Sequence, residues 1–502
     1  MEFFGYGVLA LGLALLFILS MSILLPQKKL NLPPSPQAWP LIGHLHLLGT
    51  SPHQSFTRLA HKYGPLMFLR LGSVPTVVVS NGALAREFLK TYDHIFATRP
   101  RNTLAAEIIL YNYKDMVYAE YGPYWRDMRK ICQLQLFTHK RMEASKHIRI
   151  EEAYGMVKSI RDTCEGSKAV DVHSQIYRMT RSIISRMVFN KNYFESDSKE
   201  ALNFTEIINE NSNLLGVFNF GDFIPCIGCL DIQGYKRRMK AARKRMDSIM
   251  ERIIQEHQQK KLDVTIDASL DFLDVLLSIG TNGNYERLSM DSIKGVILDM
   301  LGAGTETSAV TIEWALSEIL LNPWVQQKAQ QELDHVVGRE RKVEEADFPQ
   351  LKYLQSIVKE TFRLHPAAPF LVPHESTEAV QVTGYDIPAK TRLLVNVWAI
   401  GRDPSTWQRA LEFRPERFLS SNIDLLGQDF ELIPFGSGRR GCPGLPLGLT
   451  TVLLGLAVLL QSFEWSLPRS QKLDMSEVFG LSLPKAVPLH AIATPLLPRH
   501  LY

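Results

Sequence analysis

Pro434-Phe435-Gly436-Ser437-Gly438-Arg439-Arg440-Gly441-Cys442-Pro443-Gly444 runs near the C-terminal end of this 502-residue chain, and an apolar stretch over 445–460 follows it directly. The glycines permit tight backbone with φ > 0 around a single thiol, and the stretch behind them reads as a helix. A thiol at a helix N-terminus, with arginines two and three residues before it, has its thiolate form favoured. That suits a nucleophile or a metal ligand. A lone cysteine is more often a small buried hydrophobe, but the flanking glycines, Phe435 and the arginines set Cys442 apart. One thiolate cannot make an ordinary zinc site, which needs further Cys or His ligands.

The composition limits what such a site can belong to. Hydrophobic residues make up 45% of the chain and charged residues 22%, enough for a large core and unlike a disordered or collagen-like chain. Lys and Arg number 56 against 52 Asp and Glu, a formal charge of +4. That gives no whole-molecule field for nucleic acid. The five cysteines (Cys132, Cys164, Cys226, Cys229 and Cys442) are scattered, which excludes a secreted disulfide framework and suggests a reducing compartment. Length alone suggests about three domains. No internal repeat and no long low-complexity linker divides the chain after Pro40, so one large body is the simpler reading.

Residues 3–25 contain no charge and no proline, and as a helix they would reach about 34 Å, enough to cross a membrane. A cleaved signal would carry a basic start and a small-residue cleavage site, whereas only Glu2 precedes this run. Lys28 and Lys29 follow it, which places the remainder in the cytosol. On that side the acceptor pattern Asn203-Phe204-Thr205 is a chance match. Leu32-Pro33-Pro34-Ser35-Pro36 and Pro40 then form a stiff extended spacer. The expected division is an anchor at 1–25, a proline-rich linker at 26–40 and a catalytic body at 41–502.

Within the body, runs at 66–71 and 76–80 around Gly72-Ser73-Val74-Pro75 predict a hairpin, with further strands at 380–382 and 392–397. Most of the remainder has helical periodicity, including 324–337, stopped by Gly338, and 291–321, stopped by Asn322-Pro323. The second of these would span roughly 45 Å and cross the whole body. In its middle stands Leu301-Gly302-Ala303-Gly304-Thr305-Glu306-Thr307-Ser308. Glycines and hydroxyls are poor choices for a buried helix and predict a kink or an opened turn beside a polar pocket; a packing point at the glycines is the plainer alternative.

These features resemble the cytochrome P450 monooxygenases. Phe435, Gly438, Arg440, Cys442 and Gly444 stand at that family's F-x-x-G-x-R-x-C-x-G spacing. Ala303-Gly304-Thr305-Glu306-Thr307 matches its oxygen-activating helix, Glu360-x-x-Arg363 its ExxR pair, Phe413-Arg414-Pro415-Glu416-Arg417-Phe418 its FxPERF segment and Trp125-x-x-x-Arg129 its haem-side helix. The resemblance covers residues 33 to about 490 and, with the anchor, is similar to the plant microsomal A-type group. It implies a mainly α fold with small β-sheets, one large α-rich domain with haem b between the long distal helix and the Cys-bearing helix.

By that resemblance Cys442 is the iron ligand, Phe435 and Gly438 shape its loop, and Trp125, Arg129, His374 and Arg440 bind the haem propionates, His374 standing where many relatives carry Arg. Glu360 and Arg363 share a helix face, and Arg417 joins them in a structural charge network. Thr307 and Glu306, the latter where Asp is commoner, would deliver protons for O–O cleavage. Substrate would meet Ala303, Ala367, Phe370, Phe479 and Leu481, an apolar set suiting a small lipophilic metabolite such as a phenylpropanoid, flavonoid or terpenoid. Electrons would come from NADPH through a reductase, docked on Arg126, Lys130, Lys140 and Arg141, at the endoplasmic-reticulum membrane. The alternatives are a reductase-independent isomerase or dehydratase on the same fold and a catalytically silent haem- or partner-binding protein. Cys226-Ile227-Gly228-Cys229 reads as loop packing or bilayer contact, and the basic run 236–245 as a solvated face near anionic headgroups.

Overall fold

The computed structural model describes residues 30–164, 168–194, 198–263, 271–281, 288–468 and 472–502; the anchor expected at 1–25 and the start of the linker lie outside them. In chain order the main elements are α1 (Pro52–Tyr63), β1 (Leu66–Leu71), β2 (Val74–Val79), α2 (Pro123–Gln135), α3 (Lys146–Thr163), β3 (Val170–Asp171), α4 (Val172–Phe189) and α5 (Lys199–Gly216). Then come α6 (Tyr235–Asp263), α7 (Phe272–Thr281), α8 (Met290–Leu321), α9 (Pro323–Val336) and α10 (Lys352–Leu364). The chain closes with β4 (His374–Glu375), β5 (Val380–Val382), β6 (Tyr385–Ile387), β7 (Arg392–Val395), α11 (Leu445–Ser462), β8 (Phe463–Ser466) and β9 (His490–Pro495).

The expected hairpin is present with a tighter turn. Leu71 pairs with Val74, so only Gly72 and Ser73 connect the strands, and Pro75 lies inside β2 opposite Arg70. Gly72 takes φ +60, which a side chain would resist. On its other edge β2 runs parallel to β7 from Thr76, and β4 completes the order β1-β2-β7-β4. β7 ends one residue before Asn396, whose side chain accepts from the Ala399 amide and starts a short helix, Val397–Ile400.

α8 is the central element. Ser289 caps it by accepting from the Ser292 amide, and Asn322-Pro323 ends it. Helical assignment continues through residues 301–308, where the hydroxyls bond back to the preceding turn: Thr305 Oγ1 donates to Leu301 O at 2.7 Å, Thr307 Oγ1 to Ala303 O at 2.7 Å and Thr311 Oγ1 to Thr307 O at 2.8 Å, contacts of the kind that bend a helix without ending it. A Cβ on Gly304 would press on Ile184 of α4, so this glycine is a packing point between the two helices. α11 packs on α8 as a second core helix. It is the one described helix long and apolar enough to cross a membrane, but 72% of it is buried inside the fold.

The basic run on α6 is a solvated face, as expected: Arg237, Arg238, Lys240, Lys244 and Arg245 are exposed. Arg238 pairs with Glu210 at 2.9 Å and Arg245 with Glu206 at 3.1 Å, both on α5, while Arg243 pairs with Asp247 at 3.3 Å. Arg238 and Arg245 thus tie α6 to α5 from within that face.

Candidate active site

The segment before α11 folds back on itself: the Cys442 amide donates to Phe435 O at 2.8 Å and the Gly441 amide to Gly438 O at 3.1 Å. Gly438 takes φ +68, and a Cβ there would run into the Leu89 carbonyl. Phe435 packs edge-on to Phe362 of α10, 5.1 Å between centroids. Protein surrounds the Cys442 thiol closely enough for burial to push it up, yet the residue stays accessible. It therefore lines an interior cleft. Opposing the burial are the amides of Gly444 and Leu445 and the Arg129 guanidinium. The adjacent arginines do not help as expected, because both point away. Arg439 pairs with Asp93 at 2.7 Å, and Arg440 donates to backbone carbonyls.

The opposite wall comes from α8. Residues 292–301 and 308–320 are buried without a break, but Gly302, Ala303, Glu306 and Thr307 are accessible in between. Such a strip in the middle of a core helix marks a cleft. Ser308 approaches to 3.9 Å of where a Cβ on Gly448 would lie, which sets the strip beside the start of α11. Glu306 Oε1 accepts from the Ser482 hydroxyl.

Behind the loop, the expected charge network is complete. Arg363 Nε and Nη2 each donate to Glu360 at 2.7 Å, Arg417 Nε donates to it at 3.0 Å, and so does the Arg414 amide at 2.7 Å. Arg363 Nη1 also donates to Gly401 O at 2.5 Å and Ala410 O at 2.6 Å. Glu360 and Arg363 are fully buried, and every polar group of the pair has a partner.

A buried cationic group lies beside the cleft. Arg440 Nε donates to Ala97 O at 2.6 Å, and burial followed by repulsion from Arg99 pulls its pKa down to about 8. Arg99, which no motif singles out, donates to Val117, Val372 and Pro373 carbonyls and is lowered to about 10 by burial. Arg129 is lowered by burial as well. Among the described residues none of the three has an ion-pair partner. Trp125 directs its N–H to Met116 O at 3.1 Å and offers its ring face to Arg440 at 4.3 Å and Arg129 at 5.5 Å. Its indole thus orients the cations. His374 Nδ1 lies 2.8 Å from Phe96 O and must donate to it. Burial, then Arg99, hold its pKa well below the ordinary range. With Nδ1 engaged by Phe96, Nε2 is the ring nitrogen left free, and Arg99 adds a cation at this place that no motif singled out.

Nearby, two carboxyls lie buried together. Asp299 Oδ2 accepts from the Met116 amide at 2.7 Å and the Val117 amide at 3.2 Å, while Asp115 accepts from the Tyr118 amide at 2.6 Å. The two side chains hydrogen-bond each other, and burial pushes both pKa values up.

A cleft walled by a thiol on one side and a polar helix strip on the other agrees with the wider comparisons. The Cytochrome P450 family model matches residues 33–490. The chain belongs to the cytochrome P450 family. Its relatives are plant enzymes: it is 44% identical over 472 residues to Cytochrome P450 93A3 of Glycine max, covering 92% of each chain. It is 42% identical to 3,9-dihydroxypterocarpan 6A-monooxygenase of Glycine max over 98% of each chain. It is also 42% identical to a flavonoid 3',5'-hydroxylase of Eustoma exaltatum subsp. russellianum, covering 95% of this chain and 93% of that one. A zebra fish cytochrome P450 solved with progesterone matches with a TM-score of 0.77 at 27% identity, over 88% of this chain and 99% of that one. This P450 is a monooxygenase.

P450 enzymes carry haem iron on a cysteine thiolate, and the residues present fit that group. Two buried guanidiniums, Arg99 and Arg440, and the half-buried Arg129, none with a carboxylate partner among the described residues, call for anions, which two haem propionates would supply. A thiol raised by burial, beside two backbone amides and Arg129, suits a bound metal cation better than a free thiolate.

The expected substrate residues divide. Ala303 faces the cleft, Leu481 is half-buried, and Ala367 is buried with its carbonyl accepting from the Leu483 amide at 2.9 Å. Phe370 sits in the core under the sheet, 5.6 Å from Phe56 and 5.9 Å from Phe479. Cys226 and Cys229 are exposed, and the one metal-like cluster among the described residues, His257, Asp271 and Asp274, lies elsewhere. Arg126, Lys130 and Lys140 are exposed, whereas Arg141 is half-buried and donates to Gln135.

Proposed function

We propose that this P450 hydroxylates a small lipophilic plant specialised metabolite of the phenylpropanoid, flavonoid or terpenoid class, at the endoplasmic-reticulum membrane, with electrons from NADPH through NADPH-cytochrome P450 reductase. The balance is RH + O2 + NADPH + H+ giving ROH + H2O + NADP+. The observation that carries the reading is the conjunction of Cys442 in the cleft with buried Arg99 and Arg440 and half-buried Arg129, none of them paired with a carboxylate among the described residues. Named relatives that act on a pterocarpan and on flavonoids favour a flat phenolic substrate.

In this reading Cys442 would ligate the haem iron, and Trp125, Arg129, His374 and Arg440, joined by Arg99, would hold the propionates. When bound, the haem supplies dioxygen activation, which the axial thiolate favours by donating electron density. Phe435 and Gly438 hold the loop beneath it, while Glu360, Arg363 and Arg417 brace that loop from behind. Glu306 and Thr307 pass protons inward along α8. Ala303, Ala367 and Leu481 wall the substrate space, and Phe370 with Phe479 supports it. Residues 1–25 serve as anchor and 26–40 as linker to the catalytic domain at 41–502. Exposed Arg126, Lys130 and Lys140 offer positive charge to an acidic reductase.

The reduced, CO-bound difference spectrum is the test. A thiolate-type Soret band is expected in the wild type and absent in Cys442→Ser; its retention in the variant would remove Cys442 as ligand. A panel of flavonoids, other phenolics and terpenoids, screened by spectral binding shift and then by NADPH-dependent turnover, identifies the class. Turnover without reductase would replace hydroxylation with isomerisation.

A further inference from the structure

We propose that Ser482 is a positioning residue for Glu306, so that the C-terminal turn facing the substrate also aims the proton-delivering carboxylate. The inference rests on the monooxygenase reading above, with Glu306 as the inward proton donor.

Ser482 is buried, and its hydroxyl donates to Glu306 Oε1 across 176 residues of sequence. Consecutive residues on a helix point about 100° apart, so Glu306 does not share the direction of Thr307, whose hydroxyl is directed at Ala303 O. A glutamate side chain has enough rotatable bonds to sweep between the cleft and the protein interior. Ser482 selects one of those positions.

The turn that carries Ser482 is itself held in place. The Val478 amide donates to Pro484 O at 3.0 Å, and the Leu483 amide to Ala367 O at 2.9 Å. Trp314, two turns beyond Glu306 on the same helix, donates its indole N–H to Leu483 O at 2.9 Å. At the start of the turn, Glu477 accepts from Gln54 and pairs with His53, each at 2.6 Å. Ser482 is therefore fixed relative to α8 from both sides. On the same turn, Leu481 is assigned to the substrate wall and Phe479 to its support. Displacing the turn moves the partner of Glu306 with it.

From α4, Tyr177 and Arg181 also face Glu306, and Arg181 reaches the surface, where Nη2 donates to Asn209 at 2.7 Å. The carboxylate thus sits between a surface-linked cation and the cleft. In each turnover Glu306 gives up a proton inward and regains one from solvent, so its own charge is restored and the two protons consumed come from NADPH oxidation and bulk water.

The test uses full-length holoenzyme with reductase. Ser482→Ala is expected to lower product formed per NADPH by roughly 2- to 10-fold, the range of one ordinary hydrogen bond, with Ser482→Thr restoring it. Turnover driven by iodosobenzene, which bypasses proton delivery to dioxygen, should be unchanged in Ser482→Ala. A second readout is independent of turnover: thermal midpoints of Ser482→Ala, Glu306→Ala and the double variant should be non-additive, the double variant losing less than the two singles together. Additive midpoints, unchanged coupling, or equal loss with NADPH and iodosobenzene would each overturn the proposal. A wild type with no thiolate-type CO band would instead overturn the monooxygenase reading; a wild type that turns over normally beside an equally coupled Ser482→Ala would overturn the positioning role alone.

Discussion

At Cys442 two influences oppose each other: burial disfavours the thiolate, while two backbone amides and Arg129 favour it. The same opposition governs Glu360, a fully buried carboxylate that accepts from Arg363, Arg417 and the Arg414 amide. Glu360→Gln leaves Arg363 buried without a counter-charge and is expected to cost about 3–5 kcal/mol, read as a lower urea midpoint and poor haem retention. Arg417→Lys, at the more accessible edge of the network, should cost well under half of that. A midpoint unchanged in Glu360→Gln would show that the network has no stabilising role. These residues were legible in sequence because their spacing is local: a thiol between glycines, an acid and a base on one helix face. Arg99, Asp299 and Ser482 were not. Each acts through a partner far away in the chain, such as Met116 for Asp299, 183 residues distant, and carries no local pattern of its own.

Between elements, glycines and buried acids decide how closely α8 and the loops approach. A Cβ on Gly401 would strike the Arg363 carbonyl, whereas on Gly302 the nearest atom is Ser212 Oγ at 3.8 Å. Gly401→Ala should therefore yield little folded haem protein. Gly302→Ala should fold at least as well as wild type, gaining up to about 1 kcal/mol of helix propensity, while narrowing the cleft, so that substrate binding weakens as stability holds. Equal expression of both variants would refute the contrast. The Asp115–Asp299 pair clamps the loop 115–118 to α8. An acid whose folded pKa is raised stabilises fully below its unfolded pKa and loses that contribution as pH rises through the folded value. Asp299→Asn keeps an acceptor for the Met116 and Val117 amides and removes the second charge. Wild type should lose stability relative to it as pH climbs above the ordinary aspartate range, by up to about 1.4 kcal/mol per pH unit, and a flat difference across that range would place the proton elsewhere. Composition predicts weakness in α8 at residues 301–308; the helix continues there, its hydroxyls bonding to carbonyls of the preceding turn, and Gly304 admits Ile184 of α4.

For the molecule as a whole, the near-neutral charge and the basic run say less than the apolar residues left outside the core. Pairing of Arg238 and Arg245 with α5 acids offsets part of the charge on α6. A different surface remains. Trp39 and Leu41 are exposed, as are Leu230 and Ile232, and the hairpin tip joins the two segments: the Gly72 amide donates to Ile42 O at 3.1 Å and the Ser73 amide to Phe223 O at 2.8 Å. Exposed large apolar residues on the two segments that meet the hairpin tip would suit bilayer contact in the proposed membrane attachment. The consequence separates two modes of attachment. Deleting residues 1–29 should weaken association with phosphatidylcholine vesicles in a flotation assay without abolishing it. Adding Leu41→Glu, Leu230→Glu and Ile232→Glu to that deletion should release the protein to the soluble fraction while leaving the reduced-CO band intact, since none of the three lines the cleft. Complete release by the deletion alone would mean that the anchor acts unaided and that this apolar surface meets something other than lipid.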